Sequence, residues 1–150
     1  METIAVYAND AAYARHLIEP MLRGAPPARW VVVACPPTLT RHAGRWLSQS
    51  ARNQWRERWA VALFAELDPL LAAGASATPF ERVVARRPLA DVTRKLEQRL
   101  GALRLLDARR PRAGKPDEPI CASQPPSGQD RWTLPVAATA GIGMMIALAD

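Results

Sequence analysis

The sequence predicts a three-layer α/β domain: a doubly wound parallel sheet of at least four strands with helices on both faces. Three observations carry this. Apolar β-prone runs alternate with amphipathic helical stretches in the order β-α-β-α-β-α-β. One run, residues 30–34 (WVVVA), is apolar at every position, as strands covered on both faces are. The stretches between runs are long enough for right-handed crossover helices, which return successive strands in parallel. A chain of 150 residues, 49% hydrophobic and 23% charged, suits one ordinary domain and excludes both a wholly disordered chain and a polytopic membrane protein.

The first strand is read over residues 3–8 (TIAVYA). Asn9 and Asp10 follow, residue types whose side-chain oxygens accept from free first-turn amides, so a helix starts there. Tyr13, Leu17 and Met21 recur every fourth residue beside Ile18 and Leu22, and Gly24 supplies the stop. After the 30–34 strand and Cys35-Pro36-Pro37 comes a long helical stretch. Its apolar stripe is Trp55, Trp59, Leu63, Leu67 and Leu70, with Arg52, Arg56 and Glu57 off the stripe. Pro69 is expected to kink or end this helix, and Gly74 closes the segment. A third strand is read over 80–85 and a third helix over 89–103, with Val92, Leu96, Leu100 and Leu103 inward. A fourth strand covers 103–107. No internal repeat is present.

Residues 1–108 thus form the α/β core. Residues 109–131 change character: Pro111, Pro116, Pro119, Pro125 and Pro126 mix with Gly, Ser, Asp and Gln, and no apolar period survives, as in a basic linker or loop. Residues 132–150 hold an uncharged apolar run from Trp132 to Ala149. It supports two readings. Eighteen helical residues rise roughly 27 Å, close to the thickness of a bilayer's hydrocarbon core, and small residues at Ala137, Thr139, Gly141, Gly143 and Ala147 let membrane helices approach, so the segment is a candidate tail anchor. Alternatively it closes the sheet, a reading favoured by its many Ala and Gly residues and by Pro135.

Twenty basic against 14 acidic residues give a net charge of +6. That balance favours an anionic partner, although the near-exclusive use of arginine in an Ala- and Pro-rich chain also follows from codon composition. Two cysteines, Cys35 and Cys121, neither build a disulfide framework nor have metal-site spacing. No basic stretch followed by an apolar one opens the sequence, so the expected location is the cytoplasm, or the cytoplasmic face of a membrane if the tail anchors it.

The order of elements, Asn9-Asp10 after the first strand, the VVVACP strand end, and Val83-Val84 leading to Arg87-Pro88-Leu89-Ala90-Asp91-Val92 together resemble the universal stress protein family over roughly residues 3–114. The resemblance implies a five-stranded parallel sheet, with Pro135-Val136 similar to the opening of the fifth strand, and common dimerisation. It also implies one of two branches, ATP-binding or non-binding. In the binding branch an aspartate closes strand one, and a G-x-x-G, nine residues, G-S/T pattern after strand four holds the phosphates. Here the aspartate falls on Asn9, with Asp10 beside it. The glycines fall on Ala108 and Pro111, and the closing pair on Cys121-Ala122. Proline has no N–H to offer and fixes φ, so the phosphate loop is broken. What remains at the carboxyl end of the sheet is Asn9, Asp10, Arg109, Arg110, Arg112 and Lys115, a set that holds an anion by side chains or is simply a solvated basic turn.

Other chemistry is weaker. Cys35 and Arg41 have the C-x5-R spacing of cysteine phosphatases, but Pro36 and Pro37 remove amides that such a loop needs, and a buried strand-end cysteine explains the position. His16 and His42 are not spaced with Glu19, Glu66, Asp68 or Asp91 in a metal pattern, and Ser48, Ser50 and Ser123 lack a nucleophile elbow. The tryptophan stripe of the long helix, Trp55 and Trp59, reads as core in preference to a partner-binding face, and Arg41, Arg45, Arg52 and Arg56 as a solvated helix side. The expectation is a non-catalytic regulatory or interaction protein, a homodimer or a binder of a protein partner, with no cofactor, no metal and no nucleic acid. The alternative is a nucleotide- or anion-binding module, with ATP as the candidate ligand and a membrane contact through the Trp132 to Ala149 run.

Overall fold

The computed structural model describes residues 2–23, 28–38, 45–74, 80–111, 118–121, 132–134 and 146–147. Its strands are β1 (Glu2–Ala8), β2 (Ala28–Ala34), β3 (Glu81–Val84), β4 (Arg104–Asp107), β5 (Trp132–Leu134) and β6 (Ile146–Ala147). The helices α1 (Ala11–Leu22), α2 (Gln49–Gly74) and α3 (Leu89–Leu100) separate the first four. One sheet runs in the order β3-β2-β1-β4-β5-β6. The first four strands are mutually parallel, as the alternation predicts, with Val6 opposite both Val32 and Leu106 at the centre.

The central strands are apolar on both faces because both are covered. Ile4, Val6 and Ala8 of β1 and Trp30, Val32 and Ala34 of β2 pack against α1 and α2 through Leu17, Ile18, Leu63, Phe64 and Leu67. The alternate residues Ala5, Tyr7, Val31 and Val33 face the other way, toward α3 through Leu89 and Leu96 and toward Ile120. Helices therefore lie on both faces, and the layers are α/β/α.

α1 starts where expected, with Asp10 as its cap: the Tyr13 N–H donates to Asp10 Oδ1 at 3.0 Å. α2 does not end at Pro69 but continues to Gly74. Pro69 is exposed, while Leu67 and Leu71 on either side of it are buried, so tertiary packing outweighs one lost backbone bond. α2 starts at Gln49, later than expected, and its stripe is rotated: Phe64 and Leu71 are buried, Trp59 is half-buried against the core, and Trp55 lies outside it. α3 ends at Leu100, short of 103, because Gly101 takes φ +80° and breaks the helix there.

The C-terminal strands depart from the expected parallel sheet. β5 precedes Pro135 instead of starting at it, and it runs antiparallel to β4, with Leu134 opposite Leu105. β6 runs antiparallel to β5. A parallel return needs a crossover, and a stretch with five prolines is a poor crossover helix, whereas an antiparallel return needs none. Residues 132–134 and 146–147 are strand, so the apolar segment is not one continuous helix. No helix among the described residues is long and apolar enough to cross a membrane.

Candidate functional site: the crevice between β1 and β4

From β1 the chain steps outward to β2 and β3, then crosses back so that β4 lies on the opposite flank of β1. The segments leaving the carboxyl ends of β1 and β4 therefore diverge, which opens the crevice where α/β sheets place ligands. The sequence puts Asn9 and Asp10 on one side and Arg109 and Arg110 on the other; the structure brings Asn9, Asp10 and Arg110 together and turns the Arg109 side chain to Asp107 instead. Arg112 and Lys115 lie outside the described residues.

Asn9, Asp10 and Arg109 spend bonding capacity on the chain itself, while Arg110 stays exposed. The Ala108 N–H continues the sheet by donating to the Tyr7 carbonyl at 2.9 Å. Asn9 then grips the next peptide: the Arg110 N–H donates to Asn9 Oδ1 at 2.7 Å, and Asn9 Nδ2 donates to the Arg110 carbonyl at 3.4 Å. Arg109 folds back onto Asp107 in a two-point bond, Nε to Oδ1 at 2.8 Å and Nη2 to Oδ2 at 2.9 Å, with its side chain only 6% exposed. Asp10 caps α1 with one oxygen, and its other lies 3.5 Å from Arg110 Nη1. Arg110 is exposed, so that last contact is weak. Beside it an open cleft of about 780 Å³ runs between the first turns of α1 and residues 65–69 of α2. Tyr13, Arg15, His16, Glu66 and Arg110 line part of it, so cations and carboxylates face it together.

At the positions of the family's phosphate-loop glycines, the Ala108 amide is committed to the sheet and Pro111 has none. Cys121 is half-buried, and Ala122 lies outside the described residues. Within the proline-rich stretch, residues 118–121 strap onto the α3 face. Glu118 Oε1 accepts from the Leu89 N–H at 2.9 Å, capping a helix whose own cap position is Pro88. Ile120 is completely buried. Its carbonyl accepts from Thr93 Oγ1 at 2.5 Å, and the Tyr7 hydroxyl bonds the same Thr93 oxygen. The Leu89 carbonyl is 3.0 Å from the same oxygen; carbonyls only accept, so the Thr93 proton goes to the Ile120 and Leu89 carbonyls and Tyr7 donates to Thr93. Burial holds the Tyr7 phenol protonated, well above the usual tyrosine range, as a donor must be. Sequence reasoning missed Tyr7, Thr93, Glu118 and Ile120. A lone isoleucine among prolines was the available signal.

Cys35 is buried at the end of β2, and its thiol lies 3.6 Å from the Val33 carbonyl. Burial pushes the thiol up to about 12, against the pull of the Arg109 guanidinium. A phosphatase nucleophile requires the opposite shift; Arg41 lies outside the described residues. His16 is exposed on α1, and His42 and Ser123 lie outside the described residues. Ser48 caps α2 by accepting from the Ala51 N–H at 3.1 Å, and Ser50 is exposed in its first turn. Among the described residues no three His, Cys, Asp or Glu side chains group as metal ligands would. No family model, curated protein or solved structure matches the chain.

Proposed function

We propose that the chain is a non-catalytic regulatory or interaction protein built on a universal-stress-like frame, with a switch-point crevice that its own side chains fill. The observation that carries this reading is the mutual engagement of the crevice residues. Asn9 holds the Arg110 peptide, Arg109 is bound at two points by Asp107, and Asp10 is divided between α1 and Arg110. A nucleotide polyphosphate would have to displace carboxylates from both arginines and would find no free run of amides among the described residues there in return. The element order and the β3-β2-β1-β4 arrangement support the family likeness, while the antiparallel β5 is a departure from it. Calorimetric titration with ATP and magnesium tests the reading: no heat is expected, and micromolar, magnesium-dependent affinity would overturn it.

The alternative is an anion-binding module, favoured by one observation: exposed Arg110 shares the open cleft with Arg15 and His16. Inorganic phosphate or ATP binding that is magnesium-independent and lost in Arg110→Ala would establish that reading instead.

A further inference from the structure

α2 is longer than the sheet beneath it. Its 26 residues rise ~39 Å, whereas the seven-residue strands span ~23 Å. Two ion pairs fix its alignment: Asp68 meets Arg82 inside β3, and Glu57 meets Arg86 two residues beyond the strand's end. The buried stripe of the helix begins at Ala60. Residues 49–58, a rise of ~15 Å with no fully buried side chain, therefore extend past the carboxyl end of the sheet on the β2–β3 side, with Arg52, Trp55, Arg56 and Glu57 half-buried.

This overhang is strongly cationic. Arg45, Arg52, Arg56 and Arg58 lie on it or on the turn that feeds it, and Arg86 and Arg87 lie across from it, with Glu57 the only carboxylate among residues 45–59 and 85–88. Most of the chain's +6 excess is concentrated there. Arg58 and Arg87 are exposed and pair with no carboxylate among the described residues. Just before the Ser48 cap stand Trp46, 83% exposed, and Leu47, 37% exposed. The Arg45 guanidinium sits 5.9 Å from the Trp46 ring centre.

We propose that this overhang docks on an anionic phospholipid surface. An exposed indole and leucine flanked by guanidinium groups match the membrane interface, where apolar side chains enter the headgroup region and arginines meet lipid phosphates. The surface is a cationic helix start with one exposed indole before it. That geometry suits a broad planar partner better than a nucleic-acid strand, which is held in a groove by several stacked aromatics. The proposal is independent of the crevice, two strands away, and of the apolar run at 132–149.

Sedimentation of the full-length protein with vesicles tests it, using phosphatidylcholine alone and phosphatidylcholine with phosphatidylglycerol. Binding is expected only to the anionic vesicles and is expected to weaken from 0.05 to 0.5 M salt. Arg58→Glu with Arg87→Glu is expected to lower partitioning roughly 25-fold or more, at about fivefold per arginine removed. Trp46→Ala is expected to lower it roughly tenfold. All three positions are exposed, so thermal melting of the variants should match wild type. Three results would overturn the proposal: no binding to anionic vesicles at low salt, equal binding to neutral vesicles, or binding unchanged in both variants. Tight binding of a single-stranded oligonucleotide that blocks vesicle binding would reassign the surface to nucleic acid.

Discussion

The two faces of the sheet are built differently. On one, α1 and α2 together cover Ile4, Val6, Trp30 and Val32 with apolar side chains, and the ion pairs of α2, Asp68–Arg82 and Glu57–Arg86, lie at its solvent-exposed margin. On the other, α3 is the single helix among the described residues, and beside it lie residues 118–121, an irregular strap fixed by Glu118, Thr93 and Tyr7. Two helices orient each other by interlocking side chains. A strap has no such periodic surface, so hydrogen bonds from defined partners give it position. The apolar face tolerates shape-conserving change, while the strapped face depends on particular atoms.

The largest test of this contrast replaces the anchors of the two faces. Leu67→Ala and Ile120→Ala should each cost about 2–5 kcal/mol in urea unfolding, because both side chains are fully buried. A cost below about 1 kcal/mol for Ile120→Ala would break the comparison by showing that the strap is not part of the core. Next comes Thr93→Val, which keeps the shape but strands the Tyr7 hydroxyl and the Ile120 carbonyl, for about 1–3 kcal/mol per group. Tyr7→Phe leaves Thr93 its acceptor and should cost less, about 1 kcal/mol. Glu118→Ala removes the cap of α3 and should cost about 0.5–2 kcal/mol, with a matching fall in Tm.

The last effect appears only at alkaline pH and concerns Cys35. Its thiol is neutral in the folded protein up to about 12, while the unfolded thiol ionises near 8.5. The unfolded state therefore binds fewer protons above that pH. The contribution to stability is complete below pH ~8 and is lost as pH rises toward 12. Tm should decline between pH 8 and 11, and the decline should be shallower in Cys35→Ala. Thiol reagents should modify Cys35 only after unfolding, when its burial is lost.

The strands and helices of the first four β elements are legible in the sequence because burial on both faces writes continuous apolar runs, and helix faces write a regular period. Asp10 and its capping role were legible for the same local reason. Three things were not. The rotation of α2, which buries Phe64 and Leu71 and leaves Trp55 out, depends on where a long helix overruns a short sheet. The direction of β5 depends on pairing, which no local pattern encodes. The crevice's self-neutralisation depends on Asp107 and Arg109 being two residues apart at the end of a strand, a spacing that carries a fold-back only once the backbone turns. Asn9 with Arg110, and Tyr7 with Thr93, are joined across 101 and 86 residues, beyond the reach of any window of sequence.

Those long separations also bear on the order of assembly. β1 is synthesised before the strands that flank it, and it is a central strand with β4 on its far edge. At ~5–20 residues per second, roughly 5–20 s pass between the synthesis of Tyr7 and that of its backbone partner Ala108. Through that interval β1 and β2 can pair, but the row of amides and carbonyls that β4 will claim stays open to any other extended chain. Slowing translation after residue 34 should therefore increase aggregation of the nascent chain while leaving the stability of the completed protein unchanged.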